Sequence, residues 1–479
     1  MVIGFSGCFK DFLNVPPQGS LTDALFPQNA DDAELAINAV YGSMHNWSYY
    51  YGGFPVPDIL SDDARKGSNP GDGARLNLFD DYTFTATVAD IFPWYSAYYA
   101  AIKSANVVIE KVPPIEMDET LKTRYIAEAR CLRALFYFNL VRTWGNVPKV
   151  ITSAPDPQLP RSPKEEIYSE IIIPDLQYAI DNLPDKSQYS AIDVGRATTG
   201  FAQALLAKVY LYQQDYINAA VWAEDVINSG LYHLEPDYTE AFSIAGQFGA
   251  ESMFEVGALP FEGATDQGGN QFANTQAVRG VPNKGWGFNR PSVSLINSYE
   301  AGDLRKAKTI INLGEIIDDV LIEGDVATPD ITFIEATTDT FEIECYNQKV
   351  WVPGTTTTES WGFNVRIMRY AEVLLIAAEA LNQSGNSATA LLYLNEVRTR
   401  AGLPEIITTD QAVLHTIIIN ERRHELAMEN ERFYDLVRTG LANDLLTPLG
   451  FIVGKHELLP IPQSEIDISG GTLTQNPGW

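Results

Sequence analysis

The sequence predicts a mainly α fold: tetratricopeptide-like helical hairpins forming a scaffold, with large loop and short-strand excursions. Three observations carry this. Apolar residues recur at helical spacing in several long segments, and two of those segments place small residues where paired helices must approach closely. Between about residues 236 and 365 the period changes to short β-rich runs separated by Gly, Asp and Thr clusters. With 479 residues, 45% of them hydrophobic and 20% charged, the chain has ample material for a large buried core.

The chain opens on MVIGFSGC, where an apolar residue and then Ser6-Gly7 stand before Cys8. A bacterial lipoprotein signal ends this way, and the cysteine sulfur becomes acylated. The basic leader is missing and the apolar stretch is short, so a free cysteine in a tail is the alternative. Long loops follow over 47–93 and 149–163, separated by helical sequence. WYSAYYAAIKSANVVIEKV (94–112) runs directly into a helix that the Trp94 ring helps to bury. In RCLRALFYFNLVRTWGNVP (130–148), Leu132, Leu135, Phe136, Asn139, Leu140 and Trp144 recur at helical spacing, with Gly145 and Pro148 as the stop. Arg130, Arg133 and Tyr137 form a remaining stripe, read as a polar seam pairing with neighbouring acids.

IYSEIIIPDLQYAIDNLP (167–184) is a further amphipathic helix. Residues 197–232 read as two helices around the turn Gln214-Asp215-Tyr216, with Ala207, Ala219 and Ala223 in tetratricopeptide order. Residues 369–403 repeat the scheme, with Ala377-Ala378 before the turn and Ala390 after it, and 414–440 read as another amphipathic helix. The picture is a tail over 1–19 and a single domain over 20–479, whose excursions at about 47–93 and 236–365 are the natural places for binding surfaces.

Sixty-two acidic residues against 33 basic ones give a formal charge of −29, which repels nucleic acid and anionic headgroups and favours a neutral ligand. Cys8, Cys131 and Cys345 lack the spacing of a zinc knuckle or redox pair, and the five histidines include no HExxH. No metal or cofactor is expected, with a structural calcium in an acidic loop left open. No run reaches the roughly 18 apolar residues that span a bilayer, so EVLLIAAEAL is read as a buried helix.

Phosphate-cradling, nucleophile-elbow and dinucleotide motifs are absent. Carboxylate pairs such as Asp62-Asp63 and Glu251 with Glu255 would suit glycoside hydrolysis, but in a chain so acidic they arise by chance. No catalytic residue is assigned. The loop aromatics are more informative: Trp47, Tyr49 and Tyr50, Trp286 in NKGWGFNRPS, and Trp361 in ESWGFN lie among Gly, Ser and Asn, outside the helical apolar faces. An indole held at a surface stacks on a sugar ring while Asp, Asn and Arg hydrogen-bond its hydroxyls. Asp62, Arg65, Arg290 and Asn364, near these aromatics in sequence, complete the candidate site.

Several segments together resemble one family, the SusD-like (RagB) surface glycan-binding lipoproteins of Bacteroidetes. The matching stretches include CFKDFLNVPPQG, EARCLRALFYFNLVRTWGNVP, ESMFEV, RYAEVLLIAAEALN, LNEVRTRAGL, ERRHELAMENERFYDLVRTG, LPIPQSEI and the closing QNPGW. They cover nearly the whole chain in one order. The resemblance implies a protein lipidated at Cys8, anchored in the outer membrane and facing the exterior. It implies a SusC-type TonB-dependent transporter as partner, capture of an oligosaccharide ligand for import, and no catalysis. A peptide-binding RagB-type subunit is the alternative within that role; a glycoside hydrolase or a structural tetratricopeptide adaptor are the alternatives outside it.

Overall fold

A computed structural model describes residues 26–69, 71–259, 271–325, 344–353 and 362–479. Helix α1 (Ala30–Ser43) starts on Asn29, whose side chain accepts from the Asp32 amide, and it buries Ala33, Ala36, Ile37 and Val40. It lies against α2 (Ile91–Lys111), which pairs with α3 (Glu119–Trp144). The Asp118 carboxylate caps α3 by accepting from Leu121 N at 2.9 Å. The helix stops at Gly145, where φ is 70° and an added Cβ would stand 2.7 Å from Leu458 Cδ1.

The polar stripe of α3 is the seam the sequence suggests. Arg133 donates to Asp175 at 2.7 and 2.9 Å and to Asn106 Oδ1 at 2.7 Å. The Tyr137 hydroxyl donates to Val150 O at 2.9 Å and accepts from Val150 N at 2.7 Å. Trp144 and Trp94 are both buried, their rings 4.9 Å apart. This stretch is packing from end to end.

Asp175 lies on α4 (Ile173–Asn182), which continues from a π turn over Tyr168–Ile172. Pro174, with no N–H to donate, sits where that looser turn gives way to the α-helix. Helices α5 (Thr199–Tyr212) and α6 (Tyr216–Asn228) form the first predicted hairpin, with Asp215 as N-cap and Gln214 left-handed in the turn. Helices α7 (Tyr370–Gln383) and α8 (Ser387–Arg400) form the second, capped by Asn386. Ala219 and Ala223 on α6 and Ala377, Ala378 and Ala390 on the second pair are buried, and α7 packs on both α6 and α8. The segment read as one helix over 414–440 is two, α9 (Gln411–Glu425) and α10 (Arg432–Thr439). Met428 and Asn430 take φ of 64° between them, which no α-helix accommodates.

The excursions contribute short antiparallel pairs. Strand β1 (Ala64–Gly67) lies in the first, and β2 (Ser252–Val256), β3 (Phe288–Pro291), β4 (Ile310–Asn312) and β5 (Cys345–Asn347) lie in the second. Strand β6 (Val365–Arg369) leads into α7. β2 pairs with β6 and β4 with β5, and β1 pairs with β3 through Ala64↔Pro291 and Gly67↔Phe288. That last pairing joins excursions more than 200 residues apart. One apolar core runs from Ala33 to Ile461 beneath them. Among the described residues no helix is long and apolar enough to cross a membrane.

Candidate functional site

The joined excursions bring Trp47 and Trp286 into contact, ring centroids 5.9 Å apart and planes at 73°. Trp47 opens a single 3-10 turn capped by Asn46, whose Oδ1 accepts from Ser48 N at 2.8 Å. The indole N–H donates to Gly53 O at 2.6 Å, so the loop folds back over its own tryptophan. That closure needs Gly53: its φ is 99°, and a Cβ would lie 2.5 Å from Trp47 Cε2. The ring remains 40% exposed.

Trp286 is fixed from the other side. Its amide donates to Asn274 O at 2.7 Å, and the Gly287 amide to Ala277 O at 3.0 Å, lacing the GWG segment to the short helix Phe272–Gln276. A Cβ on Gly285 would fall 2.1 Å from Asn274 O, and one on Gly287 would fall 2.8 Å from Arg279 Cβ. The backbone approaches so closely here that only glycine fits. Phe54 lies 5.6 Å from Trp47 and 4.9 Å from Phe288, and the Arg75 guanidinium sits 5.5 Å over Phe54 while bonding both Asp90 oxygens at 2.8 Å.

Beside Trp286 an open groove of about 420 Å³ is lined by Arg279, Asn283 and Asp325. Arg279 is paired with Asp72 and Asp325 and donates to Ser68 Oγ at 3.1 Å. The two indoles meet at a steep angle, so each offers its own apolar face, and the guanidinium, carboxylate and amide groups beside Trp286 supply hydrogen-bonding partners of the kind that sugar hydroxyls use.

Other sequence candidates lie elsewhere. Tyr49 and Tyr50 are 3% and 4% exposed, behind the turn that displays Trp47: Tyr49 packs edge-on against Tyr98 at 5.2 Å and Tyr50 against Phe272 at 5.4 Å. Asp62 is buried against Arg432, which donates to its two oxygens at 2.8 and 3.0 Å. Burial alone would push this carboxyl up, but Arg432 and Arg423 outweigh it and hold it below the usual range. Arg290 is buried with its guanidinium 5.1 Å over Tyr346, and Arg65, its partner across β1 and β3, is half-buried. Asn364 is buried, donating to Glu255 at 3.0 Å and accepting from Ala258 N at 2.9 Å. These side chains hold the excursions in place and do not reach the groove. Trp361 and Cys8 lie outside the described residues.

Arg279, Asp325, Asp72, Asn283 and Arg75 escaped the sequence reading. Asn283, three residues before Trp286, carried the one local signal; the others come together only through the strand pairing.

Neither carboxylate pair is free. Arg423 Nε donates to Asp63 at 2.6 Å, Arg400 Nη1 bonds Glu251 at 2.9 Å, and Glu255 accepts from Asn364 and from Phe248 N. Among the described residues no group of three or more His, Cys, Asp or Glu is placed to hold a metal ion.

Comparison with known proteins agrees with this architecture. The pattern described as the SusD family matches residues 250–448, and a second, described as starch-binding and associating with outer membrane, matches residues 11–211. SusD-like protein P2 of Formosa agariphila is 31% identical over 100% of this chain and 98% of its own. A SusD-like protein of Bacteroides ovatus is 30% identical over 90% of this chain and 80% of its own. Among solved structures, a laminarin-binding SusD-like protein superposes with a TM-score of 0.79 at 32% identity, covering 95% of this chain and 100% of that one. Surface glycan-binding protein A from Bacteroides thetaiotaomicron, in complex with laminarihexaose, does so with a TM-score of 0.77 at 26% identity, covering 94% and 100%.

Proposed function

The chain belongs to the SusD family, and from that premise we propose that it is a non-catalytic, surface glycan-binding subunit whose ligand is a neutral oligosaccharide of the laminarin type. The observation that carries this is the Trp47–Trp286 pair, held edge to face at 5.9 Å beside a groove with fixed polar groups. Two structural relatives named for laminarin or laminarihexaose supply the sugar class. The negative charge of the chain and the acidic partners of Arg279 and Arg75 favour an uncharged sugar.

In this reading the ligand passes to a SusC-type TonB-dependent transporter in the outer membrane. Ile217 and Val221 on α6 and Leu392 on α8 are exposed, at 69%, 48% and 66%, and are available to a protein partner. Acylation of Cys8 would tether the subunit beside it, facing outward. The enzyme alternative draws no support from carboxylate pairs already engaged by arginines.

The test is incubation with a glycan panel, following tryptophan fluorescence and product release together. Quenching by laminarihexaose without cleavage supports capture. Cleavage would restore the hydrolase reading, and no response to any glycan would move the ligand to peptide.

A further inference from the structure

A second groove lies where α2, the loop over 149–163 and the short helix Gln463–Ile468 meet. It is open, of about 240 Å³, and its walls include Tyr95 and Tyr99 with Pro155, Pro157, Leu159 and Leu473. None of these residues belongs to the aromatic platform. The two tyrosine rings are 4.9 Å apart and tilted by 49°. Tyr99 is tied down by its hydroxyl, which donates to Pro148 O at 3.0 Å, and the short helix is docked by Gln463 N, which donates to Ala86 O at 3.0 Å.

Two carboxylates join this apolar lining, Asp156 from the loop and Glu465 from the helix. Glu465 is the unusual one. It is half-buried, its carboxylate has no hydrogen-bond donor and no Lys or Arg partner among the described residues, and burial pushes it up. Burial also pushes up the Tyr95 and Tyr99 phenols, and the Glu465 charge adds to that, which puts the carboxylate close to both rings. Arg161, the cation that acts on the same phenols, is spent elsewhere: Nε donates to Asn146 O at 2.7 Å and Nη1 to Thr474 O at 2.9 Å. A carboxylate drawn out of water without a partner is unfavourable, and acids elsewhere in the interior, such as Asp62 and Asp175, meet arginines at 2.8 and 2.7 Å.

What completes such a groove is a cation, and an organic one. An anion would be repelled by both carboxylates. A hard metal ion takes roughly six or more oxygen ligands, which walls of proline, leucine and tyrosine ring do not supply. An ammonium or guanidinium on an aliphatic stem meets every demand: the head pairs with Glu465 beside the tyrosine rings, and the stem lies along the prolines and leucines. A volume just below the roughly 300–1,000 Å³ of drug-sized sites suits one side chain. Exposed Phe92, one turn before Ser96 on α2, and exposed Ile468, one turn after Glu465, extend the same helix faces outward, as contact with a protein surface requires and a free amine does not.

We propose that this groove is a docking pocket for a single lysine or arginine side chain presented by a protein partner. It stands apart from the platform and does not depend on glycan binding. The test is isothermal titration of the full chain with acetylated and amidated alanine pentapeptides that carry lysine, arginine or norleucine at the centre, the last keeping the stem without the charge. Saturable one-to-one binding of the lysine or arginine peptide is expected, and none of the norleucine peptide. Glu465→Gln removes the charge from a side chain that bonds nothing else, and should weaken binding about tenfold with a melting temperature no lower than wild type. Glu119→Gln removes the same charge from an exposed position on α3 and should leave the affinity unchanged, as should saturating laminarihexaose. Absence of saturable binding by both cationic peptides, equal binding of the norleucine peptide, full affinity in Glu465→Gln, an equal loss in Glu119→Gln, or displacement by laminarihexaose would each overturn the proposal. A chain that ignores laminarihexaose yet binds a cationic peptide through Glu465 would refute the platform reading and leave this one standing.

Discussion

In the proposed platform, Trp286 and Trp47 differ in how firmly each is held. Trp286 is half-buried and laced by its own backbone; Trp47 is more exposed and restrained by a single indole hydrogen bond. Replacing either by alanine removes a stacking face at little cost to the core. Each substitution should weaken laminarihexaose binding by at least about 1 kcal/mol in a calorimetric titration, with the melting temperature near wild type. Unchanged affinity in both variants would take these residues out of the site. Asp58 raises a different matter. It is fully buried, accepting from Asn289 Nδ2 at 3.0 Å and Asn430 N at 2.9 Å, and burial pushes its carboxyl up to about 7. Between its unfolded and folded values the native chain holds a proton that the unfolded chain has released. The stability it contributes is therefore full below the unfolded value and is lost as pH rises through about 7. Urea denaturation across about pH 5 to 8 should show wild type losing stability relative to Asp58→Asn. A gap between the two that stays flat, or widens in favour of wild type, would contradict the assignment.

At the level of elements, the platform depends on close backbone approach. Gly285→Ala places a methyl 2.1 Å from Asn274 O, so the GWG segment must lift off the helix Phe272–Gln276. This substitution should weaken laminarihexaose binding as much as Trp286→Ala does, although the tryptophan is still present, and should lower the melting temperature as well. Wild-type affinity in that variant would mean that the segment's position is immaterial. The same physics explains what the sequence made legible. The hairpins α5–α6 and α7–α8 were readable because small residues at helix contacts leave a local pattern, as Ala219, Ala223 and Ala378 do. Trp47 and Trp286 were readable as aromatics framed by polar and glycine-rich loop sequence. The break between α9 and α10 was not, because Met428 and Asn430 adopt left-handed backbone without a glycine to announce it. Tyr49 lies behind the displayed Trp47 because a turn of about three residues points a side chain two positions on away from its neighbour. The burial of Asp62, Arg290 and Asn364 was not legible because their partners, Arg432, Tyr346 and Glu255, lie far along the chain.

Across the whole molecule, charge is handled in two ways. Inside, acids and arginines are interleaved to bind the second excursion to the scaffold: Arg400 Nη1 meets Glu251 at 2.9 Å, and Arg369 meets Glu425 at 3.1 Å and Glu429 at 2.7 Å. Burial works against ionising Glu425, but Arg400, Arg369 and Arg305 overcome it and hold its carboxyl well below the usual range. Outside, much of the charge of −29 stays uncompensated, and the platform inherits its sign. Arg279 is shared between Asp72 and Asp325, and Arg75 is taken by Asp90, so three carboxylates face two guanidiniums. A neutral glucan feels little of this field, whereas a polyuronate is repelled until salt screens it. Raising the ionic strength from about 20 to about 300 mM shortens the screening length severalfold, so laminarihexaose affinity should change less than about twofold while any weak binding of an oligouronate should strengthen. Titrations of both ligands at the two salt concentrations decide the point. Oligouronate binding that tightens at low salt would require a basic patch overriding the field of the whole chain, and the ligand would then have to be sought among acidic polysaccharides.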